Sequence, residues 1–170
     1  METIRQILHL PQTKMNRDAI VKKVRNNPNQ MTELMDCFFS DDYRLCQNAS
    51  WPMTIIGEKK PKLILPYVEE MLGVLRRPVH NSVKRNVIRL LQVIDIPEEY
   101  DGIVYELCFN YINDTKEMTA VRTFSITVLC NIVMKYPELK GEVISLIELH
   151  RANSSAAFKA RVRKELKRLE

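Results

Sequence analysis

Arg5, Arg44, Lys84, Arg122 and Arg161 follow one another at intervals of 39, 40, 38 and 39 residues. A fixed period of that length constrains the fold more than any local propensity does. A unit of about 40 residues cannot bury its apolar face alone and must stack on its neighbours. The middle three basic residues open similar passages: "YRLCQNASWPMTIIGEKKPKLILPYVEEML", "VKRNVIRLLQVIDIPEEYDGIVYELCFNYI" and "VRTFSITVLCNIVMKYPELKGEVISLIEL". In each, apolar residues recur at three and four, which predicts a long helix. The helix stops at a proline turn: Pro61, Pro97 or Pro137. A second helix follows, then a polar turn: "RRPVHN", "NDTKEM" or "RANSS".

Two-residue alternation is absent over any useful length, and the chain has only four glycines. The expected class is therefore all-α. The pattern predicts helices over 2–9, 15–26, 28–39, 42–58, 62–76, 81–95, 98–113, 116–135, 138–150 and 154–169. With 170 residues, one domain over 1–170 is expected. Its repeats are regular over about 28–169, and 1–27 are less regular.

The passage "LMDCFFSDDYRLCQNASWPMTIIGE" pairs a leucine-rich helix and an aspartate turn with Tyr-Arg and Ile-Gly. "INDTKEMTAVRTFSITVLCNIVMKYPEL" repeats it, with Asp114 at the turn and Arg122 in the next helix. These passages resemble the HEAT-like, armadillo-type repeat family. The repeat around Lys84 departs from the pattern, with Pro78 and Asn81 in place of the turn aspartate. The resemblance implies a short right-handed α-α superhelix of about four helix pairs plus a C-terminal capping helix. It is nearly silent on function, because one fold carries many tasks.

No apolar run reaches the roughly 20 residues of a membrane span. The start, METIRQILHLPQ, lacks the basic region and cleavage site of a signal peptide. Cys37, Cys46, Cys108 and Cys130 lie in apolar contexts without a CxxC pair, which predicts free, buried thiols in a cytoplasmic protein. His9, His80 and His150 share no motif. Asn81 reads as an N-cap, and His150 falls in the last turn of its helix, where a cation is favoured. Phosphate-loop, nucleophile-elbow and zinc-protease motifs are missing. No catalytic residue, metal ligand or cofactor is assigned.

Trp51, Leu91 and Leu129 each stand seven residues after the basic residue of their repeat. Trp51 is therefore expected in the core, with truncation costing roughly 3–5 kcal/mol; the alternative is an aromatic platform. Pro52 removes a hydrogen bond to Asn48 and predicts a kink. Arg44 and Arg122 are expected to bind the turn carboxylates Asp41 or Asp42 and Asp114.

Charge divides the chain. Residues 1–150 contain 19 basic and 19 acidic side chains, while residues 151–170 contain seven and two. The final helix carries an apolar stripe of Phe158, Val162, Leu166 and Leu169, flanked by Lys159, Arg163, Lys164, Lys167 and Arg168 among others. It reads as a polar-faced cap or as a secondary basic patch. The predicted second helices carry net charges of −2, 0, −4 and −2. The resemblance places such helices on an inner, concave face. Glu70, Glu106, Asn110, Glu142 and Glu148 lie off their apolar stripes and are the candidate binding residues.

The expected function is a scaffold or adaptor that holds a cationic or polar protein or peptide on that acidic face. One alternative is a DNA-binding protein related to the HEAT-like alkylation-repair glycosylases. Such a protein needs a cationic surface to meet phosphates. A second is a chaperone like the HEAT-repeat lyases that attach bilin chromophores, which rests on fold analogy alone. No membrane contact is expected.

Overall fold

A computed structural model of the chain describes residues 2–170. Among them are ten α-helices and no strand: α1 (Ile4–His9), α2 (Lys14–Asn26), α3 (Gln30–Phe39), α4 (Tyr43–Lys59), α5 (Val68–Val74), α6 (Asn81–Leu91), α7 (Asp101–Asn113), α8 (Thr119–Lys135), α9 (Lys140–Arg151) and α10 (Ala156–Leu169). The all-α repeat of helix pairs is as expected. None of these helices is long and apolar enough to cross a membrane.

Local chemistry sets the ends. Thr3 and Gln6 form a reciprocal capping box at α1, and Thr13, Asp42 and Ser155 cap α2, α4 and α10 through side-chain oxygens. The cap of α6 is His80, not Asn81: its ring nitrogen accepts the Ser82 N–H at 3.1 Å. Two helices stop in the same way. Lys60 and Tyr136 have φ/ψ of −137/71° and −127/78°, each just before a proline. The proline ring pushes the preceding residue out of the helical region, so Pro61 and Pro137 end α4 and α8. A 3-10 turn follows each.

The stretch 62–76, read as one helix, is broken. Pro61–Leu63 and Leu65–Tyr67 form separate 3-10 turns before α5 begins at Val68. Pro66 has no N–H to offer an α-helical bond and crowds the turn before it. The start of α8 is later than expected, at Thr119, because Asp114 Oδ1 accepts the Lys116 N–H and holds a local turn.

The chain forms two compact units, Met1–Ile96 and Pro97–Glu170. In the first, α2, α4 and α6 make one row, since α4 packs on both others. Against it lies a second row in which α3 touches α1 and α5. The row thus starts at α2, inside the stretch expected to be less regular. Leu45, Ala49, Met53 and Ile56 of α4 are buried, as are Val83, Val87 and Leu90 of α6. In the second unit, α8 packs on α7, α9 and α10. Surrounded in this way, α8 buries Val121, Ile126, Leu129 and Val133 on several faces rather than along one stripe.

Gly57 decides how closely α4 meets its neighbours. A Cβ there would lie 2.7 Å from Ile64 Cγ1 and 2.7 Å from Leu90 Cδ1, both fully buried side chains. At Gly73, an exposed position of α5, a Cβ would meet nothing within 4 Å. Alanine improves helix propensity at both positions by about 1 kcal/mol, but overpacking a core costs about 1–3 kcal/mol. Urea unfolding should therefore show opposite signs. Gly57→Ala should lose up to about 2 kcal/mol, and Gly73→Ala should gain about 0.5–1 kcal/mol.

Candidate interaction surface

The second unit sets α7 beside α9. On α7 the buried positions are Asp101, Val104, Cys108 and Ile112, so Ile103, Glu106 and Asn110 face outward. On α9 the buried positions are Val143, Leu146 and Ile147, leaving Glu142, Ser145, Glu148 and Leu149 outward. Leu149 is 71% exposed.

Two hydrogen bonds tie this face together. The Tyr105 hydroxyl donates to Glu142 Oε2 at 2.8 Å, and His150 Nε2 lies 3.0 Å from Asn113 Oδ1. The Phe109 ring sits 5.9 Å from that of Tyr105. Burial, reinforced by the bond to Glu142, pushes the Tyr105 hydroxyl well above its ordinary range, so it remains a donor. Glu142 is thereby held in place while staying exposed.

Glu106 and Asn110 are exposed on α7 and Glu142 on α9, and these two helices pack on one another. Glu148 stands about 120° around α9 from Glu142, at about 100° per residue. Its carboxylate pairs with Arg151 at 2.9 Å. Glu70 is exposed on α5 of the first unit. Arg151 belongs to α9, which reduces the negative charge expected of that helix.

The basic patch is less uniform than its composition. Glu165, in the middle of α10, is 1% exposed. Thr127 Oγ1 donates to its Oε1 at 2.8 Å, and Arg168 reaches its Oε2 at 2.8 Å. Arg168 is therefore drawn to an internal carboxylate. Arg161 donates to Thr127 at 2.6 Å and lies over the Phe124 ring. Lys159 is half-buried; Arg163, Lys164 and Lys167 remain fully outward. The expected apolar stripe is likewise interrupted, since Glu165 is buried while Leu166 and Leu169 are only half-buried.

Four sequence expectations change. Trp51 is half-buried, not core. Its α4 slot lies beside α2, whose Arg17 guanidinium covers the ring 4.4 Å from the centroid. Leu91 and Leu129, in the equivalent slots, are fully enclosed. Arg44 is exposed and binds no turn carboxylate. Asp42 is consumed by capping the Arg44 and Leu45 N–H groups, and Asp41 pairs with Arg77 at 2.9 Å. Arg122 is buried, but Nε and Nη2 both donate to the Ile112 carbonyl, at 3.2 and 3.0 Å, rather than to Asp114. His150 is not held as a cation. Burial, then the nearby Arg122 charge, lowers its pKa from 6.5.

Sequence reasoning missed buried Asp101. Lys135 lies 3.1 Å from both its oxygens and the Tyr136 hydroxyl donates at 3.2 Å, a tie that joins the start of α7 to the end of α8. A buried aspartate at the first helical position carried no pattern in the sequence. All four cysteines are free and buried. Burial pushes the Cys108 and Cys130 thiols up to about 12, which keeps them protonated and unreactive. Among the described residues, no group of three or more His, Cys, Asp or Glu side chains could hold a metal ion.

A family model described as a HEAT repeat domain matches residues 4–169. The chain belongs to this HEAT repeat family. Comparison with curated proteins and with solved structures finds no match for it. The match includes α1 and α2, so the HEAT repeat domain takes in the packing of α2 on α4.

Three measurements check the corrected residues. Trp51 is the only tryptophan, so Arg17→Ala should shift the native emission to the red. Trp51→Ala should cost about 2 kcal/mol, below the 3–5 kcal/mol of a fully buried aromatic. For His150 the folded pKa lies below the unfolded value, so its contribution is complete above about pH 6.5 and is lost as pH falls from there through the lower folded pKa. His150→Gln should flatten the stability profile just below about pH 6.5.

Proposed function

We propose that this HEAT repeat chain is a binding scaffold whose α7–α9 face receives a cationic or polar segment of a partner protein. The observation that carries the reading is the fixed, outward carboxylate of Glu142. Tyr105 holds it in place, with Glu106 and Asn110 exposed on the adjoining helix and the apolar Leu149 exposed two turns further along α9. An ordered carboxylate on a helix that also exposes an apolar side chain suits lysine or arginine, whose long stems lie on apolar surface while the charged head is paired. Repeat domains commonly present such extended faces to protein partners. Surface charge of this kind contributes more to encounter rate and specificity than to raw affinity.

The DNA-binding alternative draws on Arg163, Lys164 and Lys167 of α10, which remain outward. Contacts to phosphate would give steep salt dependence. Nothing in the geometry favours the chaperone-like alternative over these two.

The test is affinity capture from native cells with three baits. These are the wild type, Glu106→Lys with Glu142→Lys, and Arg163→Glu with Lys164→Glu and Lys167→Glu. The expected result is a protein partner retained by the first and third baits and lost by the second. Loss with the third bait alone, or tight duplex DNA binding with a steep salt slope, would overturn the reading.

A further inference from the structure

The ends of α2 and α4 enclose a cleft of about 90 Å³ in the first unit. Val21 and Leu63 are half-buried at its mouth, with Val24 and Ile56 buried behind them. Its rim is Arg25, Lys59 and Lys60, all exposed. Lys22 and Lys62 are exposed beside it in sequence. The nearest acidic residue in the chain, Glu58, is engaged by Arg89 through two hydrogen bonds of 2.7 and 3.0 Å. Residues 20–27 and 59–68 contain no acidic side chain. Several cations thus ring an aliphatic cleft with no carboxylate supplied from either segment.

Basic residues in a last helical turn are favoured by the helix dipole. That accounts for Lys23, Arg25 and Lys59 singly. It does not account for Lys60, which lies beyond α4 and lines the same opening from a segment more than 30 residues away from α2.

We infer that this cleft is a second docking site, for an acidic peptide segment that inserts one aliphatic side chain. Three features select that occupant. The charge of the rim is complementary to aspartate and glutamate flanking the inserted residue. The size limits it: a cavity of about 150 Å³ holds benzene, so this smaller cleft admits no more than one side chain and is too small for a lipid acyl chain. The lining is aliphatic with no aromatic ring, whereas single-stranded nucleic acid relies on rings for base stacking. The site is opposite in charge to the α7–α9 face and does not depend on it.

The test uses the full chain with labelled methyl groups and two pools of short synthetic peptides rich in aspartate and glutamate. One pool has a fixed central leucine and the other a central serine. The leucine pool should shift the methyl resonances of Val21, Val24, Ile56 and Leu63. It should bind about tenfold or more tightly than the serine pool. Lys59→Glu with Lys60→Glu alters only exposed side chains and should weaken binding of the leucine pool about tenfold or more. Val21→Gln should remove the preference for leucine while leaving the charge-dependent part. Equal binding of the two pools, or unmoved cleft methyls, would overturn the inference. So would binding of phosphatidylserine vesicles or duplex DNA through these lysines when neither pool binds.

Discussion

Asn86 crosses from α6 to place its Nδ2 2.9 Å from Ser50 Oγ in α4, with all of these groups buried. The Thr54 hydroxyl lies 2.9 Å from the Ser50 carbonyl and 3.2 Å from that of Asn86. A buried polar group without a partner costs about 1–3 kcal/mol, so these groups admit little sliding between the two helices. Gly57 then allows the close approach at the other end of α4. The rest of the first unit depends on this spacing. Asn48 reaches back to the Leu8 carbonyl at 2.8 Å, and Arg89 reaches Glu58.

The second unit uses different chemistry for the same purpose. Arg122 donates twice to the Ile112 carbonyl at the end of α7 and lies 5.1 Å from the Phe158 ring of α10. One side chain therefore bears on three helices. Thr127, Arg161 and Glu165 close the contact between α8 and α10. Glu165 makes α10 a bonded member of the stack, while Arg163, Lys164 and Lys167 keep the outward character of a cap. A carboxylate removed from water in this way needs its partners. Losing one would cost more than the pair contributes, because the other charge is left buried.

These ties span one repeat. Leu8 to Asn48, Ser50 to Asn86, Asp101 to Lys135, Tyr105 to Glu142 and Asn113 to His150 are separated by 40, 36, 34, 37 and 37 residues. In a stack of repeats, each helix pair meets chiefly its neighbours. The functional surfaces inherit that geometry. Tyr105 orders Glu142 because α7 and α9 are adjacent members of the stack. The basic rim around Val21 and Leu63 forms because the ends of α2 and α4 are adjacent too.

The period of the basic residues and the spacing of apolar ones made the all-α repeat legible, with most helix positions and the proline stops. Those are local or periodic properties, carried by backbone sterics and by which face of a helix is apolar. Other features depended on neighbours that the pattern does not name. Trp51 stands in the same register as Leu91 and Leu129, yet only it lies under Arg17. Glu165 stands among basic residues on a helix expected to be a plain cap, and only Thr127 and Arg168 make its burial tolerable. The summed charge of residues 1–150 is zero, which hides a local excess of cations at the ends of α2 and α4. The sequence by itself determined the fold class and the succession of helices, because propensity and periodicity act within one segment. The tertiary structure alone decided which charges are paired, which carboxylate is held outward and which cations converge. Those outcomes depend on atoms a few ångströms apart in space and one repeat apart in the chain.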